Sequence, residues 1–111
     1  MIKVITLLKR KPGLSLEEFY NYWLQQHSKL AVKDHPEVTK YVQNHGLIMP
    51  EGDQEYDGIA ETYWPDMDIF RKAVDEMQTT EKGQNHIADL DKFVDLSKMV
   101  SIVTEEKIIK Q

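Results

Sequence analysis

The pattern of apolar and polar positions divides the chain into alternating strand-like and helix-like segments. Residues 2–8 are mostly branched or aliphatic and end before a Pro-Gly turn, which predicts a first strand. Ser15 lies three positions before Glu18, the spacing of a helix capping box. The residues after it have the spacing of one helical face, so we predict a helix to about residue 30, ended by Asp34-His35-Pro36. This face carries Leu16, Phe19, Tyr20, Trp23, His27 and Leu30.

The rest of the chain predicts two strands, a helical region and a last strand. The strands span residues 38–48 and 56–64, with a polar loop over 49–55. A helix starts at Pro65-Asp66 and is followed by a shorter helix. Thr79 or Thr80 caps the shorter helix, and Gly83 weakly interrupts it. The last strand covers residues 99–109. The apolar face of the first of these helices is formed by Met67, Phe70, Val74 and Met77, and that of the second by Ile87 and Leu90.

This order of elements predicts an α+β fold, the ferredoxin-like βαββαβ sandwich. In this fold the helices cover one face of a four-stranded antiparallel sheet, and 111 residues suffice for one domain over residues 1–111. The first strand nevertheless has apolar residues on both faces, since Ile5 and Leu7 alternate with Val4 and Leu8. We therefore expect a second copy of the chain to cover the helix-free face, giving a homodimer.

Composition excludes several classes of function. The formal charge of −5 and a pI near 5.3 argue against nucleic acid as a partner. No apolar run approaches the roughly 18 residues that span a membrane, and no signal-like segment opens the chain, so we expect a cytoplasmic protein. The absence of cysteine excludes disulfides and a thiolate nucleophile, which leaves His, Asp and Glu for any chemistry.

His27 is the most informative candidate, because it lies on the apolar face of the first helix one turn after Trp23. A buried histidine with a structural hydrogen-bond partner is the simpler interpretation. Against it, polar side chains alternate on the two middle strands: Tyr41, Gln43 and His45 share one face, as do Asp57, Glu61 and Tyr63.

If those faces turn toward the helices, Glu61 can orient His27, and Tyr41 or Tyr63 can donate to a developing oxyanion. If they turn outward, the same residues lie in the dimer interface and are structural. We accordingly predict His27, Glu61 and Tyr41 as catalytic residues. The predicted substrate-binding residues are Trp23, His45, Tyr63 and His86, with His86 at the surface or the rim of a pocket.

Metal and nucleotide sites find no support in the sequence. The four histidines, at positions 27, 35, 45 and 86, lack the close spacing of metal ligands, so we expect no metal. The glycines form no phosphate-binding loop, which argues against nucleotide cofactors. The basic run Lys9-Arg10-Lys11 fits a solvated turn better than a site for an anionic substrate.

Several segments, taken in order, resemble the EthD family of the dimeric α/β-barrel superfamily. They are Leu7-Leu-Lys-Arg-Lys-Pro-Gly, Phe19…Trp23-x-x-x-His27, Tyr41-Val-Gln-Asn-His45, Asp57-Gly-Ile-Ala-Glu61 and Phe93-Val-Asp95. The resemblance implies a ferredoxin-like protomer, a homodimer whose sheets form a barrel, and a cleft between sheet and helices. Superfamily members include polyketide cyclases, isomerases, dehydratases and haem-degrading enzymes; the chain lacks the usual Asn-Trp-His set of the last group, so no haem is expected.

Two functions follow from these observations. The first is a small cofactor-independent enzyme, a lyase or isomerase, that cyclises, dehydrates or isomerises an aromatic, polyketide-like or lactone metabolite with His27 as base. The alternative is a non-catalytic protein that binds a hydrophobic metabolite for a partner oxygenase. Catalysis requires that His27 reach a substrate atom, whereas binding requires only shape.

Overall fold

The computed structural model describes residues 1–47 and 54–111. The predicted loop over 49–55 lies mostly outside these residues, as does Ile48. The elements are strands β1 (Ile2–Leu8), β2 (Lys40–His45), β3 (Gly58–Trp64) and β4 (Val100–Thr104), helices α1 (Leu16–Tyr22), α2 (Ser28–Asp34), α3 (Met67–Thr79) and α4 (Glu81–Asp91), a π-helical turn (Trp23–His27) and a 3₁₀ turn (Leu96–Lys98).

Within the described residues the strands form one antiparallel sheet in the order β2-β3-β1-β4. The first and last strands of the chain are neighbours, and helices separate β1 from β2 and β3 from β4. This is the ferredoxin-like α+β topology, so the predicted fold class is confirmed. None of the helices in the described part of the chain is both long and apolar enough to cross a membrane.

Helix starts follow the predicted capping chemistry. Ser15 and Glu18 form the reciprocal capping box, and α1, the π turn and α2 then continue as one helical rod to Asp34. Asp66 caps α3 by accepting a hydrogen bond from the Ile69 backbone N–H. Thr80 caps α4 in the same way.

The helices pack on the sheet face that carries the even-numbered residues of β1. Leu8 packs with Phe19, Trp23, Phe93 and Val94, and Val4 packs with Trp64 and Ala73. Gly58 lets the Trp23 ring lie directly against β3, since a Cβ there would come within 2.6 Å of the ring. Close packing of aromatic rings therefore fixes how the first helical rod sits on the sheet.

Several boundaries differ from the prediction. The second and third strands are shorter than predicted, and β4 ends at Thr104 instead of Ile109. Val74 points to solvent, and Ala73 takes its place in the core. Gly83 does not break α4: a Cβ at this position would lie 2.4 Å from the Met77 backbone, so the glycine permits the tight turn between α3 and α4.

The helix-free face of the sheet is apolar over its middle and charged at one end. Ile5 pairs with Ile102 on one side and with Glu61 on the other, and Leu7 pairs with Val100 and Ile59. Ile102 is 51% exposed. Charged and polar groups gather near the start of β1, where Lys3 bonds to Glu61 and Glu106. An exposed apolar area of this kind marks an interaction surface.

Candidate functional site

A π-helical turn places His27 in the layer between the first helical rod and α4. In this turn the Ser28 N–H donates to the carbonyl of Trp23, five residues earlier in the chain. In an α-helix the acceptor lies four residues earlier. His27 closes the turn and is only 4% exposed, with its ring packed against Phe93. Such single π turns interrupt α-helices frequently at functional sites, because they redirect one side chain without ending the helix.

Asp89 on α4 is the partner that orients His27. Its Oδ2 lies 2.7 Å from His27 Nδ1, and its Oδ1 accepts the hydroxyl of Tyr22 at 2.5 Å. Burial opposes ionisation of Asp89, but the hydrogen bonds from Tyr22 and His27 hold its pKa below the usual range. A carboxylate can only accept, so the neutral imidazole carries its hydrogen on Nδ1 and directs the lone pair of Nε2 away from Asp89.

The protonation state of His27 suits a base. Burial lowers the pKa of His27, and this effect exceeds the opposing effect of Asp89, which raises it. The imidazole is therefore neutral at pH 7. Among residues 1–47 and 54–111, Nε2 forms no hydrogen bond, so this nitrogen has an available lone pair.

Glu61 and Tyr63 are placed wrongly by the sequence prediction. They lie on the helix-free face of β3, because they pair with Ile5 and Lys3 at positions that alternate with the buried ones. Glu61 binds Lys3 at 2.5 Å and accepts from Asn44, and these two contacts lower its pKa. Glu61 cannot orient His27, and the outward alternative, in which these residues belong to an interface, describes them better.

His86 is buried as well, which excludes the surface position but not the predicted pocket rim, and it extends the polar cluster. Its ring centroid lies 4.9 Å from that of His27 and 5.2 Å from that of His35. Its Nδ1 is 3.3 Å from Asp34, the buried last residue of α2. Burial, followed by the neighbouring imidazoles of His27 and His35, lowers the pKa of His86.

A small cavity of about 30 Å³ adjoins His86. Its volume suits one water molecule better than an organic ligand. The lining residues are Asp34, His35, Glu76, Met77, Thr80, Lys82, Gly83 and His86. The prediction that His86 touches a pocket agrees with this geometry, although the cavity is too small for the expected metabolite.

A row of polar side chains lies on the helix-facing side of β2, and it consists of Tyr41, Gln43 and His45. This is the inward orientation, one of the two that the sequence left open. Gln43 bonds to the Tyr41 hydroxyl at 2.9 Å and to His45 Nε2 at 2.9 Å. His45 stacks on both Trp23 and Tyr20, with ring centroids 4.9 and 4.7 Å apart. This row and His27 lie on the same side of the sheet, and Trp23, one helical turn before His27, joins them.

Sequence reasoning missed Asp89 and Asp34. Asp89 follows His86 by three residues on α4, so both side chains lie on one face of that helix. The spacing of Gly83, His86, Leu90 and Phe93 marks this face as the inward one. Asp89 lies beside this inward face of α4. An acidic residue in such a position is the sequence signal that would have indicated a buried partner for His27.

No group of three His, Asp or Glu side chains in the described ranges is arranged to hold a metal ion. The absence of a metal and of any cofactor stays a prediction. The basic run at the first turn contacts acids instead of an open site: Lys9 lies 3.7 Å from Asp57, and Lys11 lies 3.4 Å from Asp91.

Comparison with solved structures shows the fold. An EthD family protein from Bacillus halodurans C-125 superposes with a TM-score of 0.72 and 21% identity, covering 96% of this chain and 99% of that one. A dimeric ferredoxin-like protein of unknown function from Thermobifida fusca YX gives 0.66 and 18%, with 95% and 90% covered. SnoaB, a cofactor-independent oxygenase from Streptomyces nogalater, gives 0.61 and 14%, with 99% and 97% covered.

Comparison of sequences identifies the family. A search of curated proteins finds no match. The family model described as the EthD domain matches residues 11–97, which include the whole first helical rod, β2, β3, α3 and α4. The predicted resemblance is therefore confirmed, and the chain belongs to the EthD family.

Proposed function

We propose that this protein is a small enzyme that abstracts a proton from carbon by general base catalysis, with His27 as the base. The observation that carries the proposal is the 2.7 Å contact between Asp89 and His27 Nδ1. It fixes the tautomer whose Nε2 can accept a proton, and it stabilises the imidazolium that forms. A buried histidine with only a structural role needs a partner, but it does not need a neutral ring with its second nitrogen unengaged.

The reaction class follows from the groups that accompany the base. Removal of a proton next to a carbonyl requires a base with a pKa near the working pH and a donor for the resulting oxyanion. Tyr41 on β2 is the donor in this proposal, and the stacked rings of Trp23 and His45 provide an aromatic wall. The substrate is then an aromatic, polyketide-like or lactone metabolite, and the net reaction is a cyclisation, dehydration or isomerisation that needs no cofactor.

We further propose that the protein acts as a homodimer formed through the helix-free face. The apolar middle of this face and the half-exposed side chain of Ile102 support the proposal. The Thermobifida fusca relative is described as dimeric. Two such faces packed together would bury Ile5, Leu7 and Ile102 against their copies.

Deuterium exchange tests the catalytic step without knowledge of the final product. The purified protein is incubated in D₂O with a panel of hydroxylated aryl ketones and aromatic lactones, and exchange at the carbon next to the carbonyl is followed by NMR. We expect exchange with the unmodified protein and at least a hundredfold slower exchange with His27→Asn. Asp91→Asn is the matched control, because Asp91 is exposed on α4 and lies outside both the site and the helix-free face, and it should exchange at the normal rate.

The alternatives give different results in the same experiment. A metabolite-binding protein would bind panel compounds with equal affinity before and after His27→Asn and would catalyse no exchange. An oxygenase, the activity named for the Streptomyces relative, would consume dissolved oxygen together with the substrate. An equal loss of exchange in Asp91→Asn and His27→Asn would contradict the assignment of His27.

A further inference from the structure

Gln43 occupies the centre of the polar row on β2. Its Nε2 lies 3.0 Å from the Trp23 backbone carbonyl and 2.9 Å from the Tyr41 hydroxyl, and its Oε1 lies 2.9 Å from His45 Nε2. The side chain is part-buried, and all of its hydrogen-bonding groups except one acceptor site are engaged. Neither the sequence prediction nor the proposed mechanism assigns this residue a function.

The Trp23 carbonyl fixes which way every bond in this row points. A carbonyl oxygen can only accept, so the NH₂ group of Gln43 must face it, and Oε1 must face His45. The second N–H of Gln43 then donates to the Tyr41 oxygen. His45 must carry its hydrogen on Nε2 in order to donate to Oε1.

These directions leave specific groups for a ligand. The Tyr41 oxygen already accepts from Gln43, so its own O–H hydrogen points elsewhere, and among residues 1–47 and 54–111 it donates to none. Burial lowers the pKa of His45, so the ring is neutral at pH 7 and its Nδ1 has a lone pair. Nδ1 forms no hydrogen bond with the described residues.

We propose that Gln43 is a positioning residue that makes Tyr41 a hydrogen-bond donor and His45 a hydrogen-bond acceptor toward a bound ligand. The ligand that fits carries an electron-rich oxygen, a carbonyl or phenolate, opposite Tyr41 and a hydroxyl group opposite His45. This choice of ligand rests on the proposed function of the site, whereas the directions of the hydrogen bonds do not.

The Trp23 carbonyl has a second connection that links Gln43 to the base. It also accepts from Ser28 N–H across the π turn that His27 closes. Gln43 therefore ties the donor row on β2 to the turn that positions His27. A substitution here should alter both Tyr41 and His45 while the helix itself remains folded, which separates a positioning role from simple packing.

The tautomer of His45 gives the first test, and it needs no substrate. Long-range ¹H–¹⁵N correlation spectra of the unmodified protein at pH 7.5 should show the Nε2–H form of His45, with the signal assigned through His45→Gln. In Gln43→Leu this signal should move toward the averaged position of a free imidazole. The Nδ1–H form in the unmodified protein would overturn the proposal without reference to any variant.

Titration of Tyr41 gives the second test. Incorporation of fluorotyrosine lowers the pH at which the tyrosine hydroxyls titrate into a range where the protein can be studied. The ¹⁹F signal of Tyr41 is assigned by its absence in Tyr41→Phe. Gln43→Leu removes a donor to the phenol oxygen, and Gln43→Glu replaces it by a carboxylate that accepts the Tyr41 hydrogen. We expect the apparent proton affinity of Tyr41 to rise in both variants, by at least tenfold in Gln43→Glu. Gln84→Glu makes the same change of charge on the exposed side of α4 and should leave it unchanged.

The exchange assay completes the test. Gln43→Glu engages the Tyr41 hydroxyl internally, so exchange should slow at least tenfold and the pH profile should change, although circular dichroism remains normal. If the unmodified protein catalyses no exchange, the proposed function fails, yet the NMR results still decide the role of Gln43. Unchanged Tyr41 titration in Gln43→Leu would overturn that role even in an active enzyme.

Discussion

Mild acid should destabilise this protein through its buried histidines. Burial lowers the pKa of His27, His45 and His86 below the ordinary value near 6.5. The unfolded chain therefore binds protons in a range where the folded protein does not. The stability from these groups is complete above about pH 6.5 and is lost as the pH falls from 6.5 toward their pKa values in the folded state.

The size of the effect follows from proton linkage. A histidine that stays neutral in the folded protein costs about 1.4 kcal/mol of unfolding free energy between pH 7.5 and 5.5. Three such groups give an upper limit of about 4 kcal/mol, which is a large share of the roughly 5–15 kcal/mol typical of a domain. The lowered pKa values of Asp89 and Glu61 act in another range, since their contribution is lost only as the pH falls through the unfolded values of 3.8 and 4.5 toward the lower values in the folded state.

Urea unfolding followed by tryptophan fluorescence measures this loss. The protein concentration must be held constant across pH values, because assembly also contributes to apparent stability. His86→Asn should reduce the loss between pH 7.5 and 5.5 by about a third, and Asn85→Ala, on the exposed side of the same helical turn, should leave it unchanged. Equal or greater stability of the unmodified protein at pH 5.5 would refute the reasoning.

Three further predictions concern the base, the helix junction and the interface. Asp89→Asn should lower the pKa of His27 further and slow deuterium exchange at least tenfold, whereas Asp91→Asn, on the same helix but exposed, should change neither. Gly83→Ala should lower the unfolding free energy by about 2 kcal/mol or more, seen as a lower urea midpoint, because its Cβ would clash with backbone 2.4 Å away. Ile102→Asp should shift the species measured by light scattering from dimer to monomer. Val32→Asp, an exposed apolar position on the helical side, should not shift it.

Most of the fold could be predicted because its signals are local. The capping box at Ser15 and Glu18 and the caps at Asp66 and Thr80 define helix starts through contacts over three residues. The end of β4 was missed for the opposite reason. Residues 105–109 contain apolar side chains, but a strand needs a neighbour to bond to, and sequence spacing alone does not say where that pairing stops.

The candidate site was predicted only in part, because its members depend on which face each strand turns toward the helices. His27 could be found because the apolar stripe of the first helix contains it. Asp89 could not be paired with it by sequence, since the two residues are 62 positions apart and meet through helix packing. The π turn adds a further change of direction at His27 that ordinary helical spacing does not predict.

The side chains of β2 fall into two sets, one on each face of the sheet. Side chains alternate along a strand, so Tyr41, Gln43 and His45 face the helices, while Val42 and Asn44 between them face the helix-free side. A slip of one residue between β2 and β3 would exchange the two sets. The hydrogen bond from Gln43 to the Trp23 carbonyl and the stacking of His45 on the Trp23 ring oppose such a slip of β2, because both contacts would be lost. Trp23, whose ring lies against Gly58 on β3, therefore also holds in place the β2 side chains that accompany His27.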